Sequence, residues 1–378
     1  MPAISVMIKP ASGLCNFRCK YCFYADEMAN RTHQSYGIMS ESTLEHVIIK
    51  ILEFAEVECT IAFQGGEPTL AGLAFFRKCI SLVNKYNTKK IKVKYALQTN
   101  AYLIDKEWCE FFAQHHFLIG VSVDGIKYTH DTYRKDADGN DTYLHTLHAI
   151  ELLKDAKIDF NILTVVNGIT AAKVNRIYEN YRKQGFDWQQ YIACLDPIWK
   201  KQGQMDYSLT PEVYGKFLIS LFHLWEIDFW KNEAPTIRQF ENYIGIIMGY
   251  PPESCEHRGN CSFQTVIEAD GSVYPCDFYV LDDYRIGNLN TETMEEIQKR
   301  RLEIQFVETS FNHTAECKNC KWFKLCRGGC RRHREQPGTQ KGENYFCKSY
   351  QMFFEECISD MEKIAICCMK QKRGRNSL

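Results

Sequence analysis

Six short apolar runs alternating with amphipathic stretches predict an α/β architecture with parallel crossovers, either an α/β barrel or a doubly wound sheet. The polar motifs of the first half fall directly after those runs, where α/β sheets carry their function. The last third stands apart, because eight of the 18 cysteines crowd between Cys255 and Cys347.

The elements follow in order. Ser5–Lys9 is a short apolar run closed by Pro10. Ser40 is a good N-cap for a helix whose Leu44, Val47, Ile48, Ile51 and Leu52 share one face. Thr60–Gln64 reads as a buried strand ending at Gly65-Gly66-Glu67-Pro68. Helices over 73–86, 106–115, 143–154 and 172–184 then alternate with strands over 93–99, 118–123, 160–166 and 189–193. No room remains before Pro197 for the two further units of an eight-stranded barrel. Thr210-Pro211-Glu212 opens a helix carrying Phe217, Leu218, Leu221 and Trp225, and another helix over 237–248 stops at Tyr250-Pro251-Pro252. This divides the chain into a strand–helix region over 1–196, a helical bridge over 197–250 and a cysteine-rich domain over 251–378.

At 45% hydrophobic and 25% charged, the 378 residues have an ordinary globular composition. A net charge of −1 exerts no general pull toward nucleic acid or anionic membrane. No stretch approaches the roughly 20 apolar residues that span a bilayer. Residues 1–9 lack a signal-peptide layout, so a reducing cytoplasm is expected, where many cysteines point to metal rather than disulfides. Cys59, Cys79, Cys109, Cys194, Cys357, Cys367 and Cys368 lie outside any ligand spacing and read as packing residues.

Cys15, Cys19 and Cys22 form C-x3-C-x2-C in the loop after the first strand. Three thiolates can hold three corners of a 4Fe–4S cube, and with no fourth nearby they leave one iron open to a ligand. A zinc knuckle, the competing reading, wants a nearby fourth ligand. The eight late cysteines make two complete sets of four. A two-residue turn at Asp270-Gly271 would place Cys276 opposite Thr265 and near Cys261, grouping Cys255, Cys261 and Cys276. Spacing alone groups Cys330 with its neighbours Cys317, Cys320 and Cys326, with Cys347 later. Two structural zinc sites are the alternative here.

The CNFRCKYCFY loop resembles the cluster motif of radical S-adenosylmethionine (SAM) enzymes, and the late cysteines resemble their SPASM extension. With AFQGGEPTLAG, LQTN, VSVDG, DGSVYPCDFYVL and CKWFKLCRGGCRR, the resemblance narrows to anaerobic sulfatase-maturating enzymes over nearly the whole chain. It implies a partial (β/α)6 TIM-like barrel followed by a SPASM domain with two auxiliary clusters. The cofactors it implies are three 4Fe–4S clusters and SAM. By resemblance Cys15, Cys19 and Cys22 hold the radical cluster, and Tyr21, Gly66, Ser122, Arg134 and Leu195 contact SAM. The GGE backbone and glutamate would hold its methionine end. Cys330 crosses over to complete one auxiliary cluster with Cys255, Cys261 and Cys276, while Cys317, Cys320, Cys326 and Cys347 hold the other. One departure is Ala101 after Asn100, where a glycine is expected.

The implied reaction converts cysteine or serine in a sulfatase C/S-x-P-x-R segment to Cα-formylglycine. A 5′-deoxyadenosyl radical takes a Cβ hydrogen, Asp277 takes the thiol or hydroxyl proton, and the auxiliary clusters accept the electron. Gln64 and Gln98, pointing from strand ends toward the same mouth, are candidate substrate contacts. The expected partners are the sulfatase polypeptide and a small electron carrier such as ferredoxin or flavodoxin, with a monomeric enzyme. The competing enzyme class is a SPASM peptide maturase making thioether or carbon–carbon crosslinks, many of which carry an added N-terminal recognition domain. Only 14 residues precede Cys15 here. A non-catalytic iron–sulfur carrier predicts no SAM cleavage and leaves the open three-cysteine site unexplained.

Overall fold

The computed structural model describes residues 3–335 and 342–375. It divides into two compact units. The first comprises the chain up to Val123, His130–Ile162 and Phe263–Phe306; the second comprises Asp124–Thr129, Leu163–Ser262 and the chain from Val307 on.

In the first unit β1 (Ile4–Ile8), β2 (Glu58–Phe63), β3 (Lys92–Thr99) and β4 (Phe117–Ser122) run parallel in sequence order, with the start of β5 (Phe160–Val166) beyond. The helices Glu41–Phe54 and Leu73–Tyr86 cover this sheet. Ser40 caps the first as its spacing predicts, accepting from the Thr43 N–H. Leu44, Val47, Ile48 and Ile51 of that helix are wholly buried with Val6, Ile8, Ile61, Phe63 and Phe76. Each such side chain withdraws enough apolar surface to contribute about 1.5–3 kcal/mol.

In the second unit the end of β5, β6 (Trp188–Ala193) and β7 (Thr236–Ile237) follow in order. The predicted helix over 172–184 is Val174–Gln184, and a separate short helix, Gly168–Ala171, precedes it because Asn167 caps the backbone N–H groups of Ile169 and Thr170. Thr210 stands at the N-cap of Pro211–Trp230 without capping it through its side chain. That helix packs on Cys347–Arg375, with Phe222 5.9 Å from Phe353, an element that sequence periodicity left unread.

β8 (Thr265–Ile267), β9 (Ser272–Tyr274) and β10 (Gly287–Asn288) extend the first unit's sheet on the far side of β1, in the order β10-β9-β8-β1. β8 joins β1 in parallel, pairing Ile8 with Ile267. The β8–β9 hairpin differs from expectation. Its ladder pairs Val266 with Tyr274, and the Glu268 N–H donates to the Ser272 carbonyl, so three residues form the loop. Gly271 at φ 85° supplies the left-handed third residue that such a loop needs. The register moves by one, and Thr265 does not face Cys276 as the two-residue turn required.

Candidate active site and cluster ligands

The ends of β1, β2 and the β8–β9 hairpin converge on one carboxylate. Lys9 follows β1, and its N–H donates to the Ile267 carbonyl; Gln64 follows β2, and its N–H donates to the Ile8 carbonyl. Their side chains meet at Asp277, where Lys9 Nζ lies 2.5 Å from Oδ1 and Gln64 Nε2 donates to Oδ2 at 2.5 Å. The Asp277 N–H donates to Gln64's counterpart on β8's approach, Gln264 Oε1, at 3.2 Å. Lys9 is wholly buried, with its ammonium 3.9 Å from the centre of the Tyr24 ring. One donor on each Asp277 oxygen leaves a second lone pair on both, so the carboxylate is fixed in direction yet can accept a proton.

Beneath this pair lies a second buried carboxylate. Glu268 accepts from Ser12 Oγ at 2.6 Å and from the Tyr24 hydroxyl, with Arg31 Nη1 3.8 Å away. It ties the hairpin bearing Asp277 to Ser12 at the start of the cysteine loop. Sequence reading assigned Lys9, Tyr24 and Glu268 no role. A lysine and a glutamate ending apolar runs were the only signal, since side chains that close a buried strand without solvent need partners.

The cysteine loop is anchored on residues 133–137. Arg18 N–H donates to Lys135 O at 2.7 Å, and Lys20 N–H to Tyr133 O at 3.1 Å. Cys15, Cys19 and Cys22 are each half-buried. Cys15 Sγ accepts from the Phe17 N–H at 3.3 Å, while burial, opposed by that bond, pushes its thiol up to about 11. Arg134 Nη1 donates to the Tyr21 hydroxyl at 3.0 Å, which sets both at one edge of the loop. Gly66 takes φ 54°, and a Cβ there would sit 2.3 Å from the Leu14 carbonyl, so only glycine lets the β2 loop lie against the cysteine loop.

The glutamate of that GGE motif faces the protein. Glu67 Oε1 accepts from the Thr69 N–H and from the Thr69 and Thr99 hydroxyls, and Oε2 accepts from the Asn100 N–H. Its carboxylate is occupied in joining the ends of β2 and β3, and burial raises its pKa against those four bonds. Ala101, the departure noted above, sits at φ 64°, the left-handed region that a glycine enters without strain. Ser122 closes β4, and its Oγ accepts from Gln98 Nε2 at 3.0 Å, so Gln98 is engaged with a neighbouring strand end. Leu195 lies past β6 in the second unit, buried.

Cys276 ends the hairpin in the first unit. In the second, Cys330 is half-buried, and the thiols of Cys255 and Cys261 lie near enough to act on it electrostatically. Cys317, Cys320, Cys326 and Cys347 wall a separate cavity of about 140 Å³ that Cys330 does not line. A void ringed by four thiols and three thiols on one loop are donor sets that fit iron–sulfur cubes. Among the described residues no three His, Cys, Asp or Glu side chains gather as one metal ion requires; ligands of a cube reach different irons and need no such closeness. Of the cysteines outside ligand spacings, Cys59, Cys79, Cys109, Cys194 and Cys357 are buried, and Cys367 and Cys368 are half-buried.

Family comparison agrees with this donor set. Residues 10–180 match the radical SAM superfamily, and residues 255–321 match SPASM, an iron–sulfur cluster-binding domain. A cysteine-type anaerobic sulfatase-maturating enzyme of Clostridium novyi is 45% identical over 97% of this chain and 98% of its own. The chain belongs to the anaerobic sulfatase-maturating enzymes. A serine-type member from Bacteroides thetaiotaomicron is 28% identical over 98% of this chain and 93% of its own. The solved structure of native anSMEcpe with bound AdoMet and Cp18Cys peptide superposes with a TM-score of 0.92, at 44% identity over 97% of this chain and all (100%) of that one. Streptococcus suis SuiB, at 13% identity and TM-score 0.62 over 90% of this chain and 75% of that one, shares the fold. The family makes this chain a radical SAM enzyme whose cofactors are SAM and 4Fe–4S clusters, with the further clusters in the SPASM domain. No helix among the described residues is long and apolar enough to cross a membrane.

Proposed function

We propose that this enzyme oxidises a cysteine in a sulfatase C-x-P-x-R segment to Cα-formylglycine, with Asp277 as the base. The reading rests on one observation above all, the buried Asp277 carboxylate held between Lys9 and Gln64 at the convergence of three strand ends. Higher identity to cysteine-type than to serine-type relatives supports cysteine as the preferred substrate.

Bound to Cys15, Cys19 and Cys22, a cluster and SAM supply a radical able to take a Cβ hydrogen. The chain's own residues do the rest. Lys9 and Gln64 each fix one Asp277 oxygen, and the remaining lone pairs receive the thiol proton. Tyr21, Gly66, Ser122, Arg134 and Leu195 position SAM, with Gln98 orienting Ser122. The eight late cysteines would hold two auxiliary clusters, which would supply an acceptor for the electron left behind, and a small carrier protein would take it onward. The enzyme is assigned to the cytoplasm, as a monomer, with the SPASM domain over 251–378.

The test is anaerobic turnover of a C-x-P-x-R peptide and its serine counterpart, with mass spectrometry of the product alongside 5′-deoxyadenosine. Aldehyde from the cysteine peptide, faster than from the serine peptide, is expected. Formation of 5′-deoxyadenosine with both peptides unmodified would overturn the substrate assignment and favour a crosslinking maturase.

A further inference from the structure

The segment that supplies Cys317, Cys320 and Cys326 to the four-cysteine cavity is strongly basic, although Glu316 and Glu343, and no Lys or Arg, line the cavity itself. Residues 317–334 carry seven Lys and Arg and no Asp or Glu, in a chain whose net charge is −1. Some of this charge is answered locally, as Lys321 pairs with Glu355 and Arg331 with Glu335. Arg334 is buried and donates to the Gly259, Ser310 and Asn312 carbonyls. A groove of about 520 Å³ is lined by Arg258, Lys324 and Arg327 together with Phe311, His313 and Phe323. Among the described residues none of those three cations pairs with a carboxylate, and the Arg258 and Arg327 Nε groups donate only to the Pro252 and Lys324 carbonyls. Phe311 is 54% exposed within the groove.

The groove and the four-cysteine cavity share a wall. Phe323 lines both, and His313 meets it edge-on with ring centres 5.5 Å apart. A docked partner would therefore stand one aromatic layer from those thiols. Unpaired cations around exposed aromatic surface are the composition of a small, transient, electrostatically steered interface.

We propose that this groove docks an acidic, one-electron carrier protein. The inference rests on the assignment of Cys317, Cys320, Cys326 and Cys347 to a cluster, and it gives the carrier in the functional reading a place to bind. Each encounter moves one electron: the carrier gains the electron that the enzyme loses, and docking exchanges no proton.

The test is stopped-flow electron transfer between the cluster-loaded enzyme and an acidic plant-type ferredoxin or a flavodoxin, across a range of ionic strength. For the unmodified enzyme the bimolecular rate constant should fall steeply with salt. Lys324→Glu/Arg258→Glu should lower it at least about tenfold at low salt and flatten the salt dependence. Iron content and dithionite-driven aldehyde formation should stay unchanged, as should reduction by cationic methyl viologen. If the double reversal takes up its clusters poorly, Lys324→Gln/Arg258→Gln should show the same trend, about threefold, on a loaded enzyme. An unchanged rate and salt slope in either variant overturns the proposal. So does a salt-sensitive dimer in sedimentation that the substitutions dissolve, since a second copy would then occupy the groove. Loss of aldehyde formation with dithionite in the unmodified enzyme would instead count against the functional reading, independently of carrier docking.

Discussion

Two buried carboxylates that each follow a strand of the same sheet are put to opposite uses. Glu67, after β2, has both oxygens committed to four donors from the loops after β2 and β3. Asp277, after the β8–β9 hairpin, has one donor per oxygen, and one of those donors is a wholly buried cation. A carboxylate held by four neutral protein donors, three of them on one oxygen, is a staple. One balanced by a single charge, with lone pairs to spare, can exchange a proton. Position at a strand end does not separate the two; the count and kind of donors does.

Asp277→Asn gives the largest expected effect, lowering aldehyde formation at least about a thousandfold, within the range for removing a general base. Full activity in that variant would sink the assignment. The substitution also strands the Lys9 cation. Lys9→Met alone should cost about 3–5 kcal/mol in denaturant unfolding, because it leaves the Asp277 anion buried without its partner. The Lys9→Met/Asp277→Asn double variant should regain part of that stability and none of the activity. Additive losses would show that the two side chains do not act as a pair.

Glu67→Gln should lower stability by about 1–3 kcal/mol, since its new amide hydrogens face N–H and O–H donors that lose an acceptor. Turnover per folded, cluster-loaded molecule should hold, and a selective loss of turnover would erase the contrast with Asp277. Gln98→Leu should be mildest, raising the KM for SAM less than about tenfold by releasing the Ser122 hydroxyl, the cost of one hydrogen bond.

The alternation of apolar runs was enough to find every strand of β1–β6 and most covering helices, because each buries a continuous apolar face. Gly66 was legible because a paired glycine marks close approach. The hairpin was misjudged by one residue, as Asp270-Gly271 suits a two-residue turn in sequence but serves as the end of a three-residue loop here. Donor counts were not legible at all. Nothing near Glu67 or Glu268 in sequence announces Asn100, Ser12 or Tyr24, because those partners arrive through the sheet. The separation of Cys330 from Cys317, Cys320, Cys326 and Cys347 also lies beyond spacing, which made them look like one set.

The parallel pairing of Ile8 with Ile267 also constrains how this chain is made. β1 is synthesised before the other strands described here, yet one of its two neighbours, β8, comes more than 250 residues later. Until then the three-cysteine loop hangs from a sheet with an open edge, and such edges invite pairing with other chains. Contacts so distant in sequence also slow folding, since a long loop must close before they form. Expression at lower temperature, or with slower synthesis, should therefore improve the yield of intact enzyme more than any stabilisation of its core.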